Sequence, residues 1–258
     1  MPSEVDRFGI ALRILRVPAF REGQLEVVRA ALSGRSLLMV SPTGSGKSLC
    51  FQLPALLKRG LTVVISPLKA LMSDQIASLM RMKLPATFIN SDLSGEEKRL
   101  RYDLIRQGAL KFLYCAPERF KARDPREVEA LKALRPSFLV VDEAHCVDKW
   151  GRDFRPDYGR LDEIRRALGS PPVLAFTASA GVAAQRRILR SLGIPNAEIF
   201  VRGVDRPNIA LLRIAKPRAD RAEFIARFLA RKSPGKAMIF VPTKKIGDEL
   251  ARDLAQHG

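Results

Sequence analysis

Short, continuously apolar runs rich in β-branched residues alternate with helix-like stretches along the first two hundred residues. The runs are Leu37–Val40, Leu61–Ile65, Ala86–Ile89, Leu110–Tyr114, Phe138–Val141, Val173–Phe176 and Ala197–Val201. A run that is apolar at every position, rather than at every second one, predicts a strand covered on both faces, as in a parallel sheet. Residues 4 to 34 read mostly as helix, interrupted at Pro18. The alternation predicts an α/β domain with a mainly parallel sheet and helices on both of its faces.

After Val201 the pattern changes. The stretch from Arg202 to Asn208 reads as an interdomain connection. It precedes a strand-like Ile209–Ile214, a basic helix near Ala219–Arg231, a strand Ala237–Val241 and a final helix near Lys244–Gln256. This tail is too short to bury both faces of a sheet by itself. It reads as the opening of a second, truncated α/β domain, with a compact appendage to the first as the alternative. The expected organisation is residues 1–202, a linker at 203–215, and 216–258.

Polar residues cluster directly after successive strands: Ser41–Ser48, Ser66–Gln75, Ala116–Phe120, Asp142–His145 and Thr177–Ala180. Loops at the carboxyl ends of parallel strands converge on one rim, where open α/β sheets bind ligands. Ser41-Pro42-Thr43-Gly44-Ser45-Gly46-Lys47-Ser48 lies between a strand and a helix, the context of a phosphate-binding loop. Its glycines let backbone N–H groups turn inward toward phosphate oxygens, and the following helix N-terminus adds partial positive charge. Lys47 is placed to reach the β- and γ-phosphates and the Ser48 hydroxyl to ligate Mg²⁺. Ser41-Pro42 stands near the place of the pattern's first glycine. Asp142 and Glu143 close an apolar strand. In a phosphate-loop NTPase the first acid holds Mg²⁺ and the next orients or deprotonates the attacking water. His145 either couples this site to Thr177-Ala178-Ser179 or is an ordinary half-buried histidine.

Charge and cysteine content add two constraints. With 45 basic and 27 acidic residues among 258, the formal charge is +18, a surface that attracts polyanions, nucleic acid above all. Cys50, Cys115 and Cys146 show no paired or metal-ligand spacing and sit in or beside apolar stretches, which predicts buried free thiols. No segment is apolar over 18 residues, so a soluble, cytosolic or nuclear protein without a membrane partner is expected.

In combination these motifs carry a resemblance. Residues 35 to 208 resemble the first motor domain of RecQ-family helicases, within the DEAD/DEAH-box superfamily 2 group. The carriers are Pro42 to Pro54; Ser66-Pro67-Leu68 with Leu71-Met72 and Asp74-Gln75; Tyr114 to Arg119; and Asp142-Glu143-Ala144-His145-Cys146, leading to Trp150-Gly151 and Asp153-Phe154-Arg155-Pro156. Thr177 to Ala180 and Asp205-Arg206-Pro207-Asn208 complete them. The resemblance implies a RecA-like phosphate-loop domain, the start of a second RecA-like domain, and ATP-dependent unwinding of DNA in the 3′ to 5′ direction with ATP and Mg²⁺ as cofactors.

Carried over residue by residue, the resemblance makes Lys47, Asp142, Glu143 and His145 catalytic. Arg21, Gln24, Thr43, Gly44, Ser45, Gly46, Lys47 and Ser48 bind ATP, Gln24 by pairing with the adenine edge. Ser48 and Asp142 hold the metal, and Thr177 and Ser179 couple the site to domain movement. Trp150, Arg152, Phe154 and Arg155, in a loop from Asp148 to Tyr158 that senses single-stranded DNA, contact the strand. The chain departs from the family pattern at Val17, where an aromatic residue usually stacks on the base, at Asp148, Lys149 and Arg152, and at Ser179 in place of threonine. Family arginines that meet the γ-phosphate come from the second motor domain. The chain alone is therefore expected to bind ATP and single-stranded or partly duplex DNA, to hydrolyse slowly, and to need a further region or partner to complete the site. An ATP-responsive DNA-binding module with little unwinding activity is the alternative, and a different superfamily 2 translocase the rival among enzymes.

Overall fold

The seven apolar runs become the seven strands of one sheet: β1 Leu37–Val40, β2 Thr62–Ile65, β3 Ala86–Ile89, β4 Phe112–Cys115, β5 Phe138–Val141, β6 Val173–Thr177 and β7 Glu198–Val201. The order is β3-β4-β2-β5-β6-β1-β7, and every pairing among them is parallel. The computed structural model describes residues 3–67, 69–90, 93–116, 133, 136–149, 160–203, 209–215, 217, 220–230 and 235–256. They fall in two units, Met1–Asp205 and Arg206–Gly258.

Strand side chains alternate between two cores, as the two-residue period requires. Leu37, Met39, Val64, Phe112, Tyr114, Phe138, Val140, Leu174 and Phe176 pack on one face. This face is covered by α1 (Glu4–Ile14), α2 (Gln24–Leu32), α3 (Leu49–Leu57) and α4 (Lys69–Arg81). Leu38, Val40, Val63, Ile65, Leu113, Cys115, Leu139, Val141, Val173 and Ala175 face the other way. They meet α5 (Gly95–Arg106), α6 (His145–Lys149), α7 (Leu161–Ala167) and α8 (Val182–Ser191). Cover on both faces explains why the strands read as unbroken apolar runs. The three cysteines are free and buried, as expected. Burial pushes the Cys50 thiol up to about 12, which leaves it an inert core residue.

Small differences from the sequence reading have local causes. The fourth strand begins at Phe112 rather than Leu110. There the Lys111 backbone N–H donates to Pro85 O (2.8 Å) and its amine turns back onto the carbonyls of Lys58 and Gly60.

The second unit departs further. Its two helices, α9 (Arg221–Ala230) and α10 (Lys244–Ala255), form where expected, the latter capped by the Thr243 hydroxyl, which accepts from Ile246 N (3.3 Å). Residues 209–214 and 237–241, read as strands from sequence, form no ladder among the described residues. Leu211 is 91% exposed and Phe240 87%. An apolar run becomes a strand only when a neighbour satisfies its N–H and C=O groups. No described segment of this unit supplies one.

Candidate nucleotide site

The consecutive sheet positions β5, β6 and β1 bring three loops together. Ser41 N donates to Thr177 O (3.0 Å), joining the loop after β1 to the end of β6. Ala144 N donates to Phe176 O (2.8 Å), joining the exit of β5 to the same strand. Asp142 N donates to Ile65 O (2.9 Å), which adds the end of β2. Four of the five polar clusters predicted to share a rim do so. Most of the cluster after β4 lies outside the described residues.

Gly44 and Gly46 have φ of 80° and 85°, left-handed conformations that favour glycine. A Cβ at Gly46 would also meet Gln24 Nε2 at 2.6 Å, which shows how closely that carboxamide lies on the loop. The curled loop feeds α3 through Ser48, whose carbonyl accepts from Gln52 N (2.9 Å). Lys47 Nζ donates to the carbonyls of Ser41 (2.8 Å) and Pro42 (3.0 Å). Burial lowers the lysine's pKa, opposed by the nearby Glu143 and Asp142 carboxylates. Ser45 Oγ is buried with no hydrogen-bond partner, while Thr43 is exposed at the loop's tip.

Arg21 and Gln24 are drawn to this loop. The Gln24 carboxamide is 2% exposed for its residue; its Oε1 accepts from Arg21 N (2.8 Å), and its Nε2 donates to Ser45 O (3.2 Å) and Gly46 O (3.1 Å). Arg21 Nη1 donates to Gly44 O (2.6 Å). The amide predicted to read adenine is thus turned on the phosphate loop. Behind it, Arg202 lies over Gly23 and pairs with Glu26 (2.6 Å).

The two acids have different surroundings. Asp142, 9% exposed, accepts from Gln75 Nε2 at Oδ2 (2.8 Å) and from Glu143 N at Oδ1 (3.0 Å). Burial raises its pKa, against the lowering effect of the Gln75 bond. Glu143 takes a left-handed φ of 49°, a conformation that costs energy away from glycine and turns its carboxylate toward His145. Glu143 Oε2 lies 3.2 Å from His145 Nδ1, and this hydrogen bond holds the glutamate below its ordinary pKa.

His145 joins these groups. Its Nδ1 lies 3.1 Å from Thr177 Oγ1, and Nε2 lies 3.7 Å from Cys146 Sγ. The contacts with Cys146 and then Glu143 raise the imidazole's pKa to about 9. Thr177 Oγ1 in turn donates to Ser179 O (3.3 Å), so the contact at Ser179 uses its carbonyl rather than its hydroxyl. A continuous path of contacts runs from Glu143 through His145 and Thr177 to the Ser179 carbonyl.

Sequence reasoning assigned no role to Gln75, Glu26 or Arg202. The signal for Gln75 was its place among Met72, Ile76 and Leu79, the buried stripe of α4. The predicted strand-contacting residues Trp150, Arg152, Phe154 and Arg155 lie outside the described residues. Among the described residues, no helix is long and apolar enough to cross a membrane.

A family model for DEAD/DEAH box helicases matches residues 21–188. Among curated relatives, the probable ATP-dependent DNA helicase RecS of Bacillus subtilis is 39% identical over 239 residues, covering 92% of this chain and 47% of that protein. The ATP-dependent DNA helicase RecQ of Haemophilus influenzae is 37% identical, covering 93% and 38%. That of Synechocystis is 38% identical, covering 95% and 52%. The chain spans about half or less of these relatives' length. In fold it is similar to the DUF1998 helicase MrfA bound to DNA, with TM-score 0.70, 21% identity, and cover of 100% of this chain and 37% of that one.

Proposed function

This chain belongs to the DEAD/DEAH box helicase family, and from that premise we propose that it is the nucleotide-binding motor segment of an ATP-dependent DNA helicase of RecQ type. The observation that carries the reading is the meeting of the phosphate loop, the Asp142–Glu143 pair and Thr177 at three consecutive strand ends. A triphosphate lies along Gly44–Ser48, receiving backbone N–H groups at the start of α3. Lys47 exchanges the carbonyls of Ser41 and Pro42 for phosphate oxygens, and the buried Ser45 hydroxyl gains the partner it lacks. Gln24 leaves the loop to pair with adenine, whose donor and acceptor edge a carboxamide matches.

The donor set fits a divalent cation. Ser48 offers a hydroxyl and Asp142 a buried carboxylate whose ionised form burial disfavours, so a cation beside it relieves that cost. These two residues would hold Mg²⁺, which when bound neutralises charge on the phosphates. Glu143, kept ionised by His145, takes a proton from the attacking water, and His145 reports the change to Thr177 and Ser179. Trp150, Arg152, Phe154 and Arg155 stack on and neutralise single-stranded DNA. The units Met1–Asp205 and Arg206–Gly258 correspond in this reading to the first motor domain and the beginning of a second.

The test is ATP turnover by this chain with and without single-stranded DNA. Turnover should be slow, because an arginine contributed from outside the first domain is worth about 10³–10⁵ in rate. It should rise with DNA, and DNA binding should weaken steeply with added salt as counterions are released. DNA that changes neither turnover nor ATP affinity would overturn the helicase reading and leave a nucleotide-binding domain of another kind.

A further inference from the structure

Helix α4 buries Met72, Ile76 and Leu79 against the sheet. Residue 75 shares their face, three after Met72 and four before Leu79. An amphipathic helix ordinarily fills such a position with an apolar side chain. Here it holds a glutamine. Its Nε2 donates to Asp142 Oδ2 at 2.8 Å across 67 residues of sequence. Its Oε1 is buried and has no hydrogen-bond partner.

A carboxamide whose oxygen is buried without a partner costs stability, because that oxygen has given up water and gained nothing in return. A leucine or methionine would avoid that cost and still pack the stripe. The other Asp142 oxygen is fixed by the Glu143 backbone N–H (3.0 Å), a contact any residue at 143 would make. Gln75 is therefore the side chain that decides how the Asp142 carboxylate is turned, and it pays for that in its own unsatisfied oxygen. It is carried by the helix that follows Ser66-Pro67 at the end of β2, next to β5 in the sheet.

We infer that Gln75 is a positioning residue for Asp142: its amide sets the orientation of the carboxylate that receives the divalent cation, and so ties cation binding to the seating of α4. The inference rests on the reading of Asp142 given above. Outer partners of metal-holding groups fix ligand orientation, and their loss typically weakens metal binding by about 10–100-fold. A shift of α4 along its axis withdraws the amide, so an event that displaces this helix lowers cation affinity without touching the phosphate loop.

The experiment measures the dissociation constant of a non-hydrolysable ATP analogue by calorimetry, in Mg²⁺ and in EDTA. The ratio of the two constants is the cation's contribution to binding. Gln75→Met, which keeps length and packing, should cut that ratio about tenfold or more. The constant in EDTA should stay close to that of the unaltered chain, and a thermal melt checks that the variant is folded. In an Asp142→Asn background the same substitution should change the ratio less than about twofold, because two residues acting through one contact are not additive. Gln75→Asn, which keeps the amide but draws it back by one methylene, should reproduce the loss and serves if the methionine variant folds poorly. An unaltered chain with no Mg²⁺-dependent affinity would overturn the cation reading of Asp142 itself. An unaltered chain with that dependence, together with Gln75 variants that retain it in full, would overturn this inference alone. A loss of equal size in the Asp142→Asn background would do the same, because Gln75 would then act on packing rather than on the carboxylate.

Discussion

Replacing Lys47 with alanine is expected to weaken ATP binding by about ten- to a hundredfold and to reduce turnover below detection. The magnitude follows from the hydrogen bonds this amine makes to charged oxygens, about 1.5–3 kcal/mol for such a bond. No other described side chain occupies the same position: Arg21, the nearest guanidinium to the loop, is committed to Gly44 O. The fold should survive, because Lys47 is only half-buried and contacts the carbonyls of Ser41 and Pro42 rather than the apolar core. Fluorescence titration with a labelled nucleotide, run beside a thermal melt, separates the two effects. Unchanged affinity in the variant would place the triphosphate elsewhere.

Glu143→Gln is the second change with a large consequence. It keeps the shape of the side chain and removes the base. Turnover should fall by about 10²–10⁴-fold, the usual worth of a positioned general base, with nucleotide affinity nearly unchanged. The same substitution removes a carboxylate 3.2 Å from His145, which helps raise the imidazole's pKa to about 9 from an ordinary 6.5. In the unaltered chain the stability contributed by the raised His145 pKa is therefore complete below about pH 6.5 and lost as pH rises through about 9. In the variant the midpoint should drop. The chain has two histidines, so proton NMR resolves this titration directly. A variant that hydrolyses ATP at the original rate would remove Glu143 from the chemistry. An unmoved histidine midpoint would show that Cys146 alone sets it.

Much of this architecture was legible because its physics is local. A parallel strand buried on both faces must be apolar throughout, so Leu37–Val40 and Phe138–Val141 announce themselves. The phosphate loop is legible for a similar reason, since the left-handed turns at Gly44 and Gly46 restrict which residues can stand there. What escaped is non-local. Gln75 stands with Asp74 among the family motifs, but its partner is not legible until α4 is seated on the sheet beside Asp142. Arg202 and Glu26 are 176 positions apart, and nothing in either neighbourhood announces their pairing. Gln24 was read for its chemistry toward a base, yet the same donor and acceptor also suit the carbonyls of Ser45 and Gly46. The strand-like runs at 209–214 and 237–241 show the limit from the other side. Apolar character makes a segment ready to pair, and pairing needs a neighbour that the described part of the second unit does not supply.

The central claim is that a triphosphate and its cation sit where the loops after β1, β5 and β6 meet. A crystal structure of this chain with a non-hydrolysable ATP analogue and Mg²⁺ tests it most directly. The account predicts phosphate density along Gly44–Ser48, Lys47 released from Ser41 and Pro42, and the cation between Ser48 and Asp142. Nucleotide bound away from that rim, or a loop still closed on Lys47 at saturating ligand, would contradict it.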